Sequence, residues 1–280
     1  MPAASPSSLP LVSIITPSYN QARFLEATIR SVLDQGYPRL EYIVVDGGST
    51  DGSLEILRRY ESRLAAWVSE PDRGQTDAIN KGFALATGDI LAYLNSDDTY
   101  SAGAVAEAVA YLQAHPEVGM VHGRAVYIDA DGRPVARFPS APTNHRDLRR
   151  GAPKIAQQAA FFWAVVWKMV GPLDASFFYA MDYDLWVRIS AVTPMAFVPR
   201  MWAGFRLHDE SKSMTVARQC WPEMMRVHFR DGGSVFSVLF VKYLVRRVVE
   251  PVIPLRMRWR RLRYRLENRQ RPQGSLPNGR

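Results

Sequence analysis

Two adjacent carboxylates, Asp97 and Asp98, follow an apolar run at residues 90–94. Side by side they repel each other unless a cation lies between or beside them, and oxygen ligands completed by water and a diphosphate suit Mg2+ or Mn2+. Three more polar clusters sit in the same relation to an apolar run: Pro17-Ser18-Tyr19-Asn20 after residues 11–16, Asp46-Gly47-Gly48-Ser49-Thr50-Asp51-Gly52 after 42–45, and Glu70-Pro71-Asp72-Arg73-Gly74 after 65–68. Taken singly, each reads as a turn, because Gly, Asn, Asp and Ser are what such connections use. Placed together on one edge of one sheet, they concentrate carboxylates where an open parallel sheet binds its ligands.

The elements that must hold these clusters are legible as well. The apolar runs are short and rich in β-branched residues, as in strands buried on both faces. Between them lie amphipathic windows: Phe24, Ile29, Val32 and Leu33 after Tyr19-Asn20, then Leu54, Ile56, Leu57 and Tyr60 after the N-cap oxygens of Ser49-Thr50-Asp51. Further helices are expected over 76–86 and 102–114. Four β-α units in about 100 residues make a Rossmann-like half-sheet. Beyond residue 118 the pattern turns antiparallel, with runs at 118–128 and 134–138 flanking the hairpin signal Asp131-Gly132. Residues 139–157 read as loop, 159–170 as an apolar stretch, 181–190 as a helix start and 195–198 as a strand.

Composition bounds the function. With 280 residues, 47% of them hydrophobic, the chain buries a full core. Its one cysteine, Cys220, excludes an intramolecular disulfide and a Cys-based zinc site. The net charge of +8 invites a nucleic-acid or membrane partner, but it is unevenly spread: residues 242–280 hold 12 basic and 2 acidic residues, net +10, leaving 23 against 25, net −2, for the rest. No G-x-G-x-x-G follows the first run and no G-x-x-x-x-G-K-[ST] occurs, which argues against a dinucleotide fold and a P-loop. The longest apolar tail segment is far short of the ~20 residues that span a bilayer.

Three ordered motifs, Ser13-Ile14-Ile15-Thr16-Pro17-Ser18-Tyr19-Asn20, Val44-Val45-Asp46-Gly47-Gly48-Ser49-Thr50-Asp51-Gly52 and Leu94-Asn95-Ser96-Asp97-Asp98, resemble the signatures of a family 2 glycosyltransferase with the GT-A fold, over roughly residues 10–215. The resemblance implies that Pro17, Ser18, Tyr19, Asn20 and Asp46 hold the nucleotide of a nucleoside-diphosphate sugar, with Asp46 accepting from the base. It implies that Asp72, Arg73 and Asn80 belong to the next donor loop. Ser96, Asp97 and Asp98 match the metal motif, in which one carboxylate binds Mg2+ or Mn2+ and its neighbour the ribose or sugar. Asn95 stands where the family often has Asp, so the metal falls to Asp97 and Asp98. Met181-Asp182-Tyr183-Asp184-Leu185 resembles the segment supplying the general base, with Met181 in place of the first acid and Asp182 as the base. Arg206-Leu207-His208-Asp209-Glu210-Ser211 resembles a C-terminal donor motif, in which His208 ligates the metal or contacts the diphosphate.

A carboxylate at an apolar-walled helix start, beside Phe177, Phe178 and Tyr179, suits deprotonation of an acceptor hydroxyl; Asp184 is read instead as favouring the helix dipole. Gln157, Gln158 and Trp163 are candidate acceptor-site residues, although aromatics such as Trp163 equally fill cores. The expected organisation is a leader (1–10), an α/β GT-A domain (11–215, nucleotide half 11–100, acceptor half 101–215) and a basic helical extension (216–280). The expected activity is inverting transfer of a sugar to a saccharide or lipid-linked hydroxyl in cell-surface polysaccharide or glycolipid synthesis, in the cytoplasm or on the inner face of the membrane. Two other readings compete: a sugar-1-phosphate nucleotidyltransferase, disfavoured because Pro17-Ser18-Tyr19-Asn20 is not a basic glycine-rich loop, and a non-catalytic binder of membrane or nucleic acid. Arg256, Arg258, Arg260, Arg261, Arg263 and Arg265 follow an apolar stretch, a pattern that suits an anionic membrane surface through residues 233–280 rather than nucleic acid. The same stretch also reads as a helix packing on the catalytic domain.

Overall fold

In a computed structural model, which describes residues 9–151, 153–208 and 217–249, the four apolar runs form parallel strands: β1 (Val12–Ser18), β2 (Leu40–Asp46), β3 (Ala66–Ser69) and β4 (Ile90–Tyr93), in the order β3-β2-β1-β4. Register brings their ends level, since Ser18 pairs with Asp46, Asp46 with Ser69 and Ile15 with Tyr93. The polar clusters at the ends of these strands therefore emerge along one edge. Three helices return the chain between these strands: α1 (Ala22–Leu33), α2 (Ser53–Tyr60) and α3 (Gln75–Leu85). On α1 the buried Phe24, Leu25, Thr28, Ile29 and Val32 recur at helical spacing and face the sheet. Helix α3 lies directly on β1, because a Cβ at Gly82 would stand 2.4 Å from Ile15 Cγ2.

The second half adds β5 (Thr99–Tyr100), α4 (Ala104–Ala114), β6 (Met120–Ile128), β7 (Pro134–Arg137), α5 (His145–Arg149), β8 (Ala160–Trp163), α6 (Ala164–Val170), α7 (Met181–Val192), β9 (Met195–Arg206) and α8 (Ala217–Arg230). The sheet continues β4-β8-β6-β9-β5, with β7 paired to β6. Strand β8 is antiparallel to both β4 and β6, whereas β9 runs parallel to β6. The β6–β7 hairpin turns at Asp131-Gly132 as expected, with Gly132 at φ 83°.

Several expectations are corrected. The third run is half-buried throughout because β3 is an edge strand, not one covered on both faces. The stretch 159–170 divides into β8 and α6. The loop 139–157 contains α5, opened by a capping box between Asn144 and Asp147, and leads into a 3-10 turn at Gln157–Ala159. The last strand does not stop at 198 but reaches Arg206, and so delivers Arg206 and His208 to the loop after β4.

One buried group in β6 has a pH consequence. The His122 ring is fully buried, neither nitrogen makes a well-formed hydrogen bond among the described residues, and burial pushes its pKa down to about 4, only partly offset by a weak interaction with the Gly123 backbone. The folded state thus keeps His122 neutral while the unfolded chain protonates near 6.5. Stability from this residue is complete above pH 6.5 and falls as pH drops toward 4, by about 3 kcal/mol in all. Urea midpoints at pH 7 and pH 4 should fall less in His122→Leu than in the wild type; equal falls would contradict this assignment.

The chain divides at Gly233 into two units. Within the second lies α9 (Val238–Val249), which carries Lys242, Arg246 and Arg247. Residues 1–8 of the expected leader (1–10), and residues 216 and 250–280 of the expected extension (216–280), lie outside the described residues.

Candidate active site

A cavity of about 870 Å3 opens over the strand ends. Its lining comprises Pro17, Ser18, Tyr19, Gly47, Pro71 and Asp72 from the first three loops, Asn95, Ser96 and Asp97 from the loop after β4, and Gln157, Gln158 and residues 178–183 from the second half of the domain. Among the expected donor residues, Asn20 ties the first two loops together instead of lining the cavity. It adopts φ 51°, its N–H donates to Ser49 Oγ (2.8 Å), and its Oδ1 accepts from Thr50 N (2.9 Å). Asp46 is fully buried and accepts from Gly48 N, Ser49 N, Ser49 Oγ and Ser69 Oγ at 2.5–3.1 Å, so it shapes the second loop from beneath. Arg73 turns back to pair with Asp77 (2.8 Å), and Asn80 exchanges two hydrogen bonds with the backbone of Leu173. Trp163 packs on the core cluster beside β4 and does not line the cavity.

The adjacent acids are separated by the fold. Asp98 is fully buried: Oδ1 accepts from Arg206 N (2.8 Å) and Oδ2 from Gln158 Nε2 (2.8 Å) and Asn95 Nδ2 (3.3 Å). Burial, and then the charge of Asp97, hold its pKa well above the usual carboxylate range against these donors. Asp97 instead faces the cavity, with Oδ2 3.0 Å from His208 Nε2. Arg206, whose role no local feature of the sequence reveals, fixes this loop by donating from Nε to the Asp97 carbonyl (2.6 Å), its guanidinium lying over the Phe24 ring.

Among the described residues no group of three or more His, Cys, Asp and Glu could hold a metal. Asp97 and His208 form half of a site. A hard divalent ion often takes only one or two protein ligands and fills its shell from substrate phosphates and water, and a carboxylate–imidazole pair suits Mn2+. The residues therefore fit an ion that arrives with a diphosphate.

Asp182 lines the same cavity from the first turn of α7. Its Oδ1 accepts a short hydrogen bond from the buried phenol of Tyr93, at the end of β4. Burial, then the Asp182 charge, keep that phenol protonated well beyond its ordinary range. In the sequence Tyr93 is simply part of an apolar run, and nothing local marks it. Gln157 donates to the Tyr93 carbonyl (2.6 Å), while its Oε1, buried in the wall, has no partner among the described residues. Glu223, from α8, accepts from the N–H groups of Phe178, Tyr179 and Ala180 (2.7–3.1 Å) and so fixes the approach to α7. Asp184 points into the core in ion pairs with Arg188 and Arg230, and is a structural residue rather than a dipole partner alone.

Comparison with known proteins places the chain in a family and identifies its fold. The sequence model of the family described as glycosyl transferase family 2 fits residues 13–166. An uncharacterized glycosyltransferase of Mycobacterium tuberculosis is 36% identical over 192 residues, 66% of this chain and 71% of that protein. TuaG of Bacillus subtilis, a glycosyltransferase named for teichuronic acid biosynthesis, is 37% identical over 136 residues, 48% of this chain and 54% of its own. The crystal structure of S. aureus TarS 1–349 in complex with UDP-GlcNAc superposes with a TM-score of 0.65 at 17% identity, over 79% of this chain. The chain spans 66% of that structure, and the likeness shows that the curled, mostly parallel sheet has the GT-A fold.

Proposed function

This chain belongs to glycosyl transferase family 2, and on that premise we propose that it moves a sugar from a nucleoside diphosphate to an acceptor hydroxyl with inversion, in the synthesis of a cell-surface polysaccharide or glycolipid. The observation that carries this reading is one cavity lined by both Asp97, which His208 meets at 3.0 Å, and Asp182. The donor class is supported by the UDP-GlcNAc complex of TarS, and the product class by the name of TuaG.

In the proposed reaction the acceptor oxygen attacks the anomeric carbon opposite the diphosphate. As the new C–O bond forms, the bond to the phosphate oxygen breaks and its electron pair leaves with the diphosphate. The hydroxyl proton passes to the Asp182 carboxylate, which Tyr93 holds in place. Ser18, Tyr19 and Ser96 line the donor side and would orient the nucleotide. A divalent cation held by Asp97 and His208 would supply positive charge against the departing diphosphate.

A melting-temperature screen of UDP-, GDP- and dTDP-sugars with and without Mn2+ tests the donor assignment. At a hundredfold excess over Kd the matching nucleotide adds about 2.7 kcal/mol, or ~5–10 °C, and does so in full only with the metal. No shift with any of them would contradict the assignment.

We also propose that the enzyme works at the inner membrane surface. The supporting observations are the Val238, Val241, Leu244 and Val245 side chains exposed on α9, its three cations, and the arginine-rich sequence after it. No helix among the described residues is long and apolar enough to cross a membrane. Cosedimentation with anionic vesicles should fall with salt and vanish when 233–280 is deleted; equal binding by the truncated protein would refute it.

A further inference from the structure

A cavity that takes a nucleoside diphosphate, the reading on which this assignment rests, needs a side chain that recognises the base. The sequence points to Asp46, but the structure commits its carboxylate to four donors, three from the loop after β2 and one from Ser69 on β3, and leaves it fully buried. A carboxylate so engaged would have to give up an internal bond to accept another. Asp72 is placed differently. It lines the cavity with Pro17, Tyr19, Gly47 and Pro71, and its Oδ1 is steadied by Gly74 N at 2.7 Å. Its Oδ2 accepts no hydrogen bond among the described residues, and it occupies the space that a side chain at position 47 would need. A Cβ built on Gly47 would stand only 2.7 Å from it. The neighbouring cations are turned to other acids, Arg73 to Asp77 and Lys81 to Glu70 and Asp77.

We propose that Asp72, seated over the bare backbone of Gly47, is the residue that reads the donor's base, and that it selects a base carrying a ring N–H beside a carbonyl. Uracil, thymine and guanine present that donor. Cytosine and adenine present a lone pair at the corresponding nitrogen and would face the carboxylate with like charge density. Gly47 and Asp72 form one device, since the missing side chain makes room for the acid of the next loop.

Isothermal titration of the full chain with UDP, dTDP, GDP, CDP and ADP, in the presence of Mn2+, tests this. The wild type should bind at least one of the first three more than ~10-fold tighter than CDP or ADP, the discrimination expected of a hydrogen bond to a charged group. Asp72→Asn should lose most of that advantage while binding inorganic pyrophosphate as the wild type does. Gly47→Ala, whose methyl displaces Asp72 without altering its chemistry, should shift preference in the same direction. The proposal is overturned if Asp72→Asn keeps the wild-type affinity and ranking, or if the wild type prefers CDP or ADP. Absence of binding by every nucleotide would instead remove the donor reading itself, and with it this assignment.

Discussion

Replacing Asp97 by Asn, or His208 by Ala, removes the Mn2+-dependent part of nucleotide binding. In the melting-temperature screen such variants should show the same shift with and without Mn2+. Their affinity for the nucleoside diphosphate should drop by at least the ~10–100-fold that loss of even an outer-shell partner costs a metal site. The reason is the geometry of the pair: Asp97 Oδ2 and His208 Nε2 lie 3.0 Å apart beside the cavity, and no third ligand stands near enough among the described residues to replace either. Asp98→Asn distinguishes this arrangement from a simple two-aspartate site. Because Asp98 holds Gln158, Asn95 and the Arg206 backbone from within, its substitution should lower the melting temperature while the Mn2+-dependent shift survives. Loss of the metal effect in Asp98→Asn, with Asp97→Asn unaffected, would reverse the assignment.

The difference between Asp97 and Asp98 shows what the sequence could and could not convey. Apolar runs and the polar residues after them located the strands β1, β2 and β4 and the edge on which the site lies, because strand burial and loop polarity are local properties. Which of two neighbouring acids faces the cavity depends on Arg206, whose backbone N–H meets Asp98 from more than a hundred residues away. The same holds for Asp46 and Asp72: the donors that occupy Asp46 come partly from Ser69, on another strand. Tyr93 is hidden in the sequence because a phenol inside an apolar run looks like core until a partner from α7 arrives. Helix α5 has five residues, too few for a helical period to show, although its capping residues Asn144 and Asp147 are in plain view. The edge position of β3 follows from strand order, which no local pattern encodes.

The charge distribution gains meaning from the same structure. A slightly acidic domain places its carboxylates differently: Asp46 and Asp98 are internal anchors, while Asp72, Asp97 and Asp182 line the cavity, where the proposed reaction gives them the base, the metal and the acceptor.

Asp182→Asn carries the largest expected effect. An amide cannot take the acceptor proton, so turnover should fall on the order of 10³-fold, within the ~10²–10⁴-fold range of general-base catalysis, while donor affinity is retained. An amide keeps the size of the Asp182 side chain and can still accept from Tyr93, so the cavity wall keeps its shape. Tyr93→Phe should act through the same group. Without the phenol's hydrogen bond the charged carboxylate is less favoured, so the acidic limb of kcat moves to higher pH while nucleotide binding is unchanged. A purely structural role for Tyr93 would lower activity at every pH alike. The decisive measurement is nucleoside diphosphate release from the matching sugar donor by wild type and Asp182→Asn, with the nucleotide Kd determined on the same preparations. General-base catalysis by Asp182 predicts a roughly thousandfold slower release at unchanged Kd; turnover by Asp182→Asn comparable to the wild type would contradict it.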